Sequence, residues 1–60
     1  MNEKDLCVET ICALNQAITA FHALYALNPN EYWAERLRVL RSMKAKQKNA
    51  LAELENASAG

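Results

Sequence analysis

Apolar residues recur along two long stretches of this 60-residue chain, at alternating steps of three and four. Side chains at such steps share one face of an α-helix, so the first stretch predicts a helix over about residues 3–27, with Asn2 as its N-cap. Its apolar stripe is Cys7, Ile11, Leu14, Ile18, Phe21 and Tyr25. Further apolar residues widen this stripe on one flank: Leu6, Ala13, Ala17, Ala20 and Leu24. So wide a stripe indicates a helix with more than one neighbour.

The second stretch predicts another helix, over about residues 29–56. Lys44 and Gln47 fall on its apolar face, and we expect the Lys44 stem to lie along that face with its ammonium group at the edge. The tail, residues 57–60, is small and polar and is expected to fray. The stripe itself is Trp33, Leu37, Leu40, Leu51 and Leu54, flanked by Tyr32, Met43 and Ala50.

The segment from Asn28 to Tyr32 separates the two predicted helices. Pro29 lacks a backbone N–H and disfavours helical geometry at the residue before it, so the first helix should end near Leu27. Asn28 is predicted to cap the second helix, with Pro29 in the first helical position and Glu31 closing a capping box. The connection between the helices should therefore be very short.

A hairpin of this kind has more apolar surface than it can cover. The sequence is 52% hydrophobic, which is too apolar for a disordered tail. A chain of this size buries only roughly 60% of the surface that its unfolded form exposes. We therefore predict an all-α fold: one antiparallel two-helix hairpin over residues 1–60, completed into a helical bundle by self-association or by a partner.

Charge is distributed unevenly, although the net charge is zero. Residues 36–48 hold six basic side chains and no acid, whereas residues 10–30 carry no formal charge. We expect the bases to point to several sides of the helix, with Arg38 and Lys46 away from the others. Acidic side chains should meet at the open end of the hairpin: Glu3, Asp5, Glu9, Glu53 and Glu55. Candidate contacts for an anionic partner are Arg38, Arg41, Lys44 and Lys48, and the alternative is a solvated face or a contact with an acidic protein surface.

The sequence does not predict a cluster of side chains that could catalyse a reaction or bind a metal ion. His22 is the single histidine, with no carboxylate or cysteine predicted one turn away, and zinc needs three or four ligands. We therefore expect no enzyme activity, no metal and no cofactor. Cys7 and Cys12 lie five residues apart on one helix, so their Cα atoms are about 8 Å apart or more, beyond disulfide reach. This favours a reducing compartment.

Targeting signals are also not expected. The N-terminus has no basic region leading into an apolar core, which is the pattern of a signal peptide. Polar side chains interrupt the uncharged residues 10–30, so no membrane span is expected either. Together with the cysteine argument, this predicts a cytoplasmic protein.

All four aromatic residues gather at or near the predicted turn. Tyrosine and tryptophan are common anchors of protein interfaces, although the same rings would also staple the two helices together. We predict that a partner protein binds Ile11, Leu14, Ile18, Phe21, Tyr25, Tyr32, Trp33, Leu37 and Leu40.

A short apolar helix followed by Pro29, Glu31 and Tyr32 at the opening of a second helix, in a chain of this length, resembles the small co-chaperones of the type III secretion needle subunit. Members of that family are bacterial cytosolic hairpins that pair with a larger tetratricopeptide-repeat chaperone. Together the two proteins hold the needle subunit unpolymerised until export. The resemblance implies that the apolar stripes bind the chaperone and that no residue is catalytic. The basic run of the second helix departs from the family's pattern.

Two functions follow from these observations. The first is a non-enzymatic co-chaperone that masks a hydrophobic groove of its partner and forms a homo-oligomer when alone. The alternative is a small regulator that dimerises into a four-helix bundle and binds RNA or DNA through its basic helix. Aromatic residues do not interleave with the bases, and the sequence pI of about 6.5 is not basic, so nucleic acid is the weaker interpretation.

Overall fold

The chain folds as two long helices joined by a three-residue connection. The computed structural model describes the backbone of residues 2–59 and the side chains of residues 2–57. Its elements are α1 (Glu3–Leu27) and α2 (Glu31–Ala59), and the described residues form no strand. The predicted all-α hairpin is confirmed. α1 has the predicted bounds, but α2 begins at residue 31 rather than 29 and continues to residue 59, through most of the expected tail; Gly60 lies outside the described residues.

The predicted N-cap of α1 is confirmed. Asn2 has extended backbone geometry, and its Oδ1 accepts a hydrogen bond from the Asp5 N–H at 2.8 Å. Glu3 and Asp5 place negative charge in the first turn, where the helix dipole favours it. At the other end, Asn28 leaves helical geometry (φ −145°, ψ 79°) while its N–H donates to the Leu24 carbonyl at 3.0 Å. That bond satisfies one of the last carbonyls of the helix.

The start of α2 corrects the prediction. Asn30, rather than Asn28, caps the helix, because its Oδ1 accepts the Trp33 N–H at 3.1 Å. The Asn30 Nδ2 also donates to the Asn28 carbonyl at 3.2 Å, which holds the connection together. Pro29 therefore precedes the cap, and Glu31 is the first helical residue rather than the partner in a capping box. Asn28 is already engaged in ending α1, so the next asparagine takes over the cap.

The two helices run antiparallel and meet along one seam. At the turn end, the ring centroids of Phe21 and Trp33 lie 5.3 Å apart. At the open end, the Lys4 Nζ lies 4.0 Å from the Glu55 Oε1. Three leucines between these ends are buried, with 7%, 5% and 7% of their surface exposed: Leu14, Leu37 and Leu40. Every member of the two predicted stripes is buried or half-buried, so the predicted periodicity located the seam correctly.

Candidate functional site

Two helices lying side by side leave two broad faces, one on each side of the plane that holds both helix axes. The principal extents of the Cα trace are 47, 17 and 11 Å, so each broad face is about 47 Å long and 17 Å wide. Successive residues of an α-helix are about 100° apart, which assigns each exposed side chain to one face or to an outer edge. The two faces of this hairpin differ sharply in chemistry.

One broad face, here called the apolar face, collects flanking apolar residues from both helices. Leu6 and Thr10 of α1 line a shallow groove together with Gln47 and Ala50 of α2, so these two flanks lie on the same side of the hairpin. Helical spacing places the remaining members on the same side. The apolar face comprises Leu6, Ala13, Ala17, Ala20 and Leu24 of α1 and Tyr32, Val39, Met43 and Ala50 of α2.

Large side chains of the apolar face are well exposed. Leu6 exposes 58% of its surface, Tyr32 63% and Met43 46%, and Leu24 and Val39 are also exposed. Scattered exposed apolar residues are ordinary, but these five lie on one face that runs the length of the hairpin. Arg36 falls within the α2 part of this face by helical spacing, and Glu9 lies at its α1 edge. The face is therefore mostly apolar but carries polar and charged side chains as well: Arg36, Glu9 at the α1 edge, and Glu3, Thr10, Gln47 and Glu53 in the groove near the open end.

The opposite broad face, here called the basic face, gathers side chains of the basic run. Arg38 and Arg41 line one groove of α2 with His22 and Tyr25 of α1. This corrects the expectation that Arg38 stands away from Arg41. Arg36 and Lys46 fall on the other flank of α2 by helical spacing. The basic face comprises His22 and Tyr25 of α1 and Arg38, Arg41, Lys44 and Lys48 of α2.

The basic side chains of this face differ in their exposure and in their ion-pair partners. Arg38 forms an ion pair with the Glu35 carboxylate one turn before it, and both side chains are largely exposed. Lys44 is half-buried at the seam, as expected for a stem lying along apolar surface. Arg41 and Lys48 are exposed, and helical spacing points them to the same side. The basic face therefore presents several cations to solvent, one of them already partnered.

The residues predicted to bind a partner divide into three groups. Leu14, Leu37 and Leu40 are buried in the seam, where they hold the two helices together. Little of their surface is open to a partner of the intact hairpin, and their assignment to a partner-binding surface stays a prediction. Tyr32 is exposed on the apolar face. The others are half-buried at the margins of the seam: Ile11, Ile18, Phe21, Tyr25 and Trp33.

The aromatic residues at the turn combine stapling with exposure. Trp33 packs on Phe21 across the helices, with ring planes tilted by 40°. Tyr32 meets Trp33 edge to face, with centroids 4.9 Å apart and an interplanar angle of 76°. Such contacts stabilise the turn end. Tyr32 therefore packs against Trp33 and also presents an exposed aromatic side chain at one end of the apolar face.

Four exposed residues of the apolar face were missing from the predicted site. Leu6, Leu24 and Met43 were assigned only to the flanks of the stripes, and Val39 was not assigned to either stripe. A second row at steps of four and three runs parallel to the α1 seam and contains Leu6 and Leu24: positions 6, 10, 13, 17, 20 and 24. This row is the signal from which an additional interface could have been predicted.

Groups with potential for covalent or metal chemistry lie apart from one another. His22 and Cys12 are exposed, Cys7 is half-buried, and both cysteines are free thiols. Residues 2–57 contain no group of three or more His, Cys, Asp or Glu side chains placed to hold a metal ion. That the protein needs no cofactor stays a prediction.

Acidic side chains were predicted to meet at the open end of the hairpin, and Glu3 and Glu53 line one groove there.

By length and composition, α1 is apolar enough to cross a membrane. Its most apolar window of 18 residues has a mean hydropathy of 1.2, and only 6% of that window is buried in the hairpin. Core helices of soluble proteins, which are mostly buried, and N-terminal signal sequences have the same length and hydropathy, so one such helix is weak evidence for a span. The prediction that the chain has no membrane span therefore stays a prediction.

Comparison with known proteins does not extend this description. No protein-family model, no curated protein and no solved structure matches the chain. The likeness to the type III secretion co-chaperones therefore stays a resemblance, and the two broad faces are the basis of the functional argument.

Proposed function

We propose that this protein is a non-enzymatic interaction module that covers a hydrophobic surface of a partner protein with its apolar face. The observation that carries the proposal is the set of five large, exposed apolar side chains on one broad face. A contiguous apolar surface of this kind is typical of protein interfaces. Its burial against a partner would stabilise both the complex and the small hairpin itself.

The chemistry of the apolar face defines the partner. Residues 10–30 carry no formal charge, so the matching surface must be apolar along most of its length. Ala13, Ala17 and Ala20 form the middle of the α1 row and leave room for a close approach of a helix. The larger side chains of this row lie at its two ends, with Leu6 at one end and Leu24 at the other. A groove between helices, or a single apolar helix, fits this shape.

The resemblance to the type III secretion co-chaperones gives the proposal its specific form. In that form the partner is a tetratricopeptide-repeat chaperone, the pair keeps the needle subunit unpolymerised, and the location is the bacterial cytoplasm. Tyr32 supports this form, because the residue that carries the resemblance is also 63% exposed on the apolar face. Pro29 lies in the connection before the cap, and Glu31 is the first residue of the helix that carries Tyr32.

The basic face supports a second candidate, the binding of RNA or DNA. The specific observation is that Arg38 and Arg41 share one groove with Tyr25 and His22, which brings two cations beside an aromatic ring. Cations that follow a backbone and rings that stack on bases are the usual elements of single-strand binding. The Glu35 carboxylate already neutralises Arg38, and the net charge of the chain is zero, so this candidate ranks second.

Capture experiments with matched variants distinguish the two candidates. The tagged full chain is used to capture proteins from a native lysate, with Leu24→Glu on the apolar face and Ala23→Glu on the outer side of α1. We expect a helical-repeat chaperone and a small secreted subunit to be captured by wild type and Ala23→Glu, and lost with Leu24→Glu. Equal capture by all three chains, or no specific protein, would overturn the co-chaperone proposal.

A direct binding assay tests the second candidate. Fluorescent single-stranded RNA and DNA are titrated with the chain at low salt, using Arg41→Ala and Lys48→Ala as variants. Nucleic-acid binding predicts an affinity that falls with salt and with each substitution. Absence of binding at low salt would remove this candidate and leave the basic face as solvated surface.

A further inference from the structure

The groove at the open end of the apolar face is built by both helices. It offers about 400 Å³ of space and is open to solvent, so a segment of another protein can lie in it. Clefts that hold ligands in other proteins commonly measure about 300–1,000 Å³. Its apolar part consists of Leu6, Cys7, Ala50 and Leu54, and two acids, Glu3 and Glu53, line it as well.

The apolar part of this groove is surface that the hairpin does not cover. Leu6 exposes 58% of its surface, and Cys7 and Leu54 are only half-buried. The Thr10 Oγ1, also at the groove, donates to the Leu6 carbonyl at 2.8 Å, so this hydroxyl already has a hydrogen-bond partner within α1. Burial of an apolar side chain in the groove would therefore be favourable.

The two acids of the groove come one from each helix. Glu3 and Glu53 are both exposed, and within residues 2–57 neither carboxylate has an ion-pair partner. The neighbouring base, Lys4, lies 4.0 Å from Glu55 instead. Helical spacing places that pair on the opposite side of the hairpin, so it does not neutralise the groove.

Negative charge on the apolar face is concentrated at this end. Residues 10–30 carry no formal charge, so the acids of α1 are confined to its first two turns. Among these, Asp5 points to the outer side of α1 by helical spacing, whereas Glu3 lines the groove. Two carboxylates beside an apolar patch favour a ligand that combines an apolar group with positive charge, because opposite charges select among partners of similar apolar shape.

We propose that the open-end groove binds a basic amphipathic segment of the partner protein. A leucine or another large apolar side chain of that segment lies in the groove, and lysine or arginine side chains lie beside Glu3 and Glu53. The inference rests on the proposed function and adds the chemistry of the partner at one end of the apolar face. The apolar contact supplies most of the affinity, and the exposed ion pairs supply specificity.

Two matched peptides test this chemistry with the full chain. Both are fluorescently labelled and amphipathic, with leucines at helical steps of three and four. One has a lysine on each flank of the leucine stripe, and the other has glutamate at the same two positions. Fluorescence anisotropy at low salt should show roughly tenfold tighter binding of the lysine peptide, and the difference should shrink at high salt.

Charge removal at the groove should reduce this preference. The double variant Glu3→Gln with Glu53→Gln should weaken binding of the lysine peptide by roughly tenfold, since two exposed ion pairs are lost, and should not weaken binding of the glutamate peptide. Asp5→Asn with Glu55→Gln is the matched control, because it removes the same charges from the same ends of the same helices, and it should have little effect. Leu6→Ala should weaken both peptides by roughly tenfold. Circular dichroism of each variant checks that the helices persist.

Several results would overturn the inference. These are equal binding of the two peptides by wild type, equal losses in the groove and control variants, and no binding of the lysine peptide at low salt. A wild-type dimer that Leu6→Ala dissociates, or binding to phosphatidylcholine vesicles that Leu6→Ala abolishes, would give the groove another occupant and overturn it as well. Failure of the proposed function is a separate result, because it is measured by capture with Leu24→Glu, which uses no peptide.

Discussion

The apolar face and the basic face are built from the same two helices, yet they meet water in opposite ways. On the apolar face, Leu6 and Tyr32 expose more than half of their surface, and Met43 exposes nearly half. On the basic face, Arg38 and Arg41 border a groove with polar side chains of α1. The buried contacts between the two helices lie in the seam, so neither broad face contributes to them. The difference between them therefore indicates interaction: exposure of the apolar face to water raises the free energy and contact with a partner lowers it, whereas the cations of the basic face are favourably solvated.

Both faces depend on the seam between the two helices. Removing a buried side chain from the seam should therefore have the largest effect on the free energy of unfolding. Leu37 exposes only 5% of its surface, so Leu37→Ala should lower the free energy of unfolding by roughly 2–5 kcal/mol. Val39→Ala, two residues on and exposed, should cost much less. Urea unfolding at a fixed protein concentration, followed by helical circular dichroism, measures both. Equal losses would mean that the seam and the apolar face are not distinct.

The apolar face itself is tested by adding charge at equivalent distances from the turn. Met43→Glu should reduce association through this face by about 10- to 150-fold, since the lost burial of one large side chain is worth about 1.5–3 kcal/mol. Ala45→Glu, on the opposite flank of α2, should change association little. Size-exclusion chromatography at several concentrations gives the comparison. If both variants behave alike, the exposed apolar residues do not form one interface.

The cap of α2 should have an intermediate effect. The Asn30 side chain accepts the Trp33 N–H, so Asn30→Ala should lower the free energy of unfolding by about 1 kcal/mol. Asn28→Ala serves as the control, because the contacts of Asn28 in the turn are made by its backbone. Since the cap determines where α2 begins, it also positions Tyr32 on the apolar face. A larger loss for Asn28→Ala in thermal unfolding would restore the cap predicted from the sequence.

The smallest effect on stability is expected on the basic face. Glu35→Ala removes an exposed ion pair with Arg38 and should change the free energy of unfolding by only about 0.5 kcal/mol or less. The same change frees a cation, so any binding of an anionic oligonucleotide should strengthen at low salt and return to the wild-type level at high salt. Glu53→Ala, outside this face, is the control. Unchanged oligonucleotide binding would show that Arg38 takes no part in it.

Sequence reasoning located the helices and the seam well, because both depend on periodicity within one helix. Every residue of the two stripes predicted from steps of three and four, from Cys7 to Leu54, is buried or half-buried. Sequence reasoning was less accurate at the turn, where Asn28 and Asn30 are both good caps and the choice depends on which one ends α1. It also assigned Leu14, Leu37 and Leu40 to a partner, because periodicity shows that a residue is covered but not what covers it.

The sequence by itself determined two amphipathic helices, the boundary between them and a surplus of apolar surface, since these follow from local geometry and composition. Only the tertiary structure decided that the flank of α1 with Leu6 and Leu24 and the flank of α2 with Tyr32 and Met43 lie on the same side. The physical reason is that the rotation of each helix about its own axis is set by packing along the seam. A stripe fixes which residues face the neighbour, but the handedness of the hairpin determines which flanks become one surface.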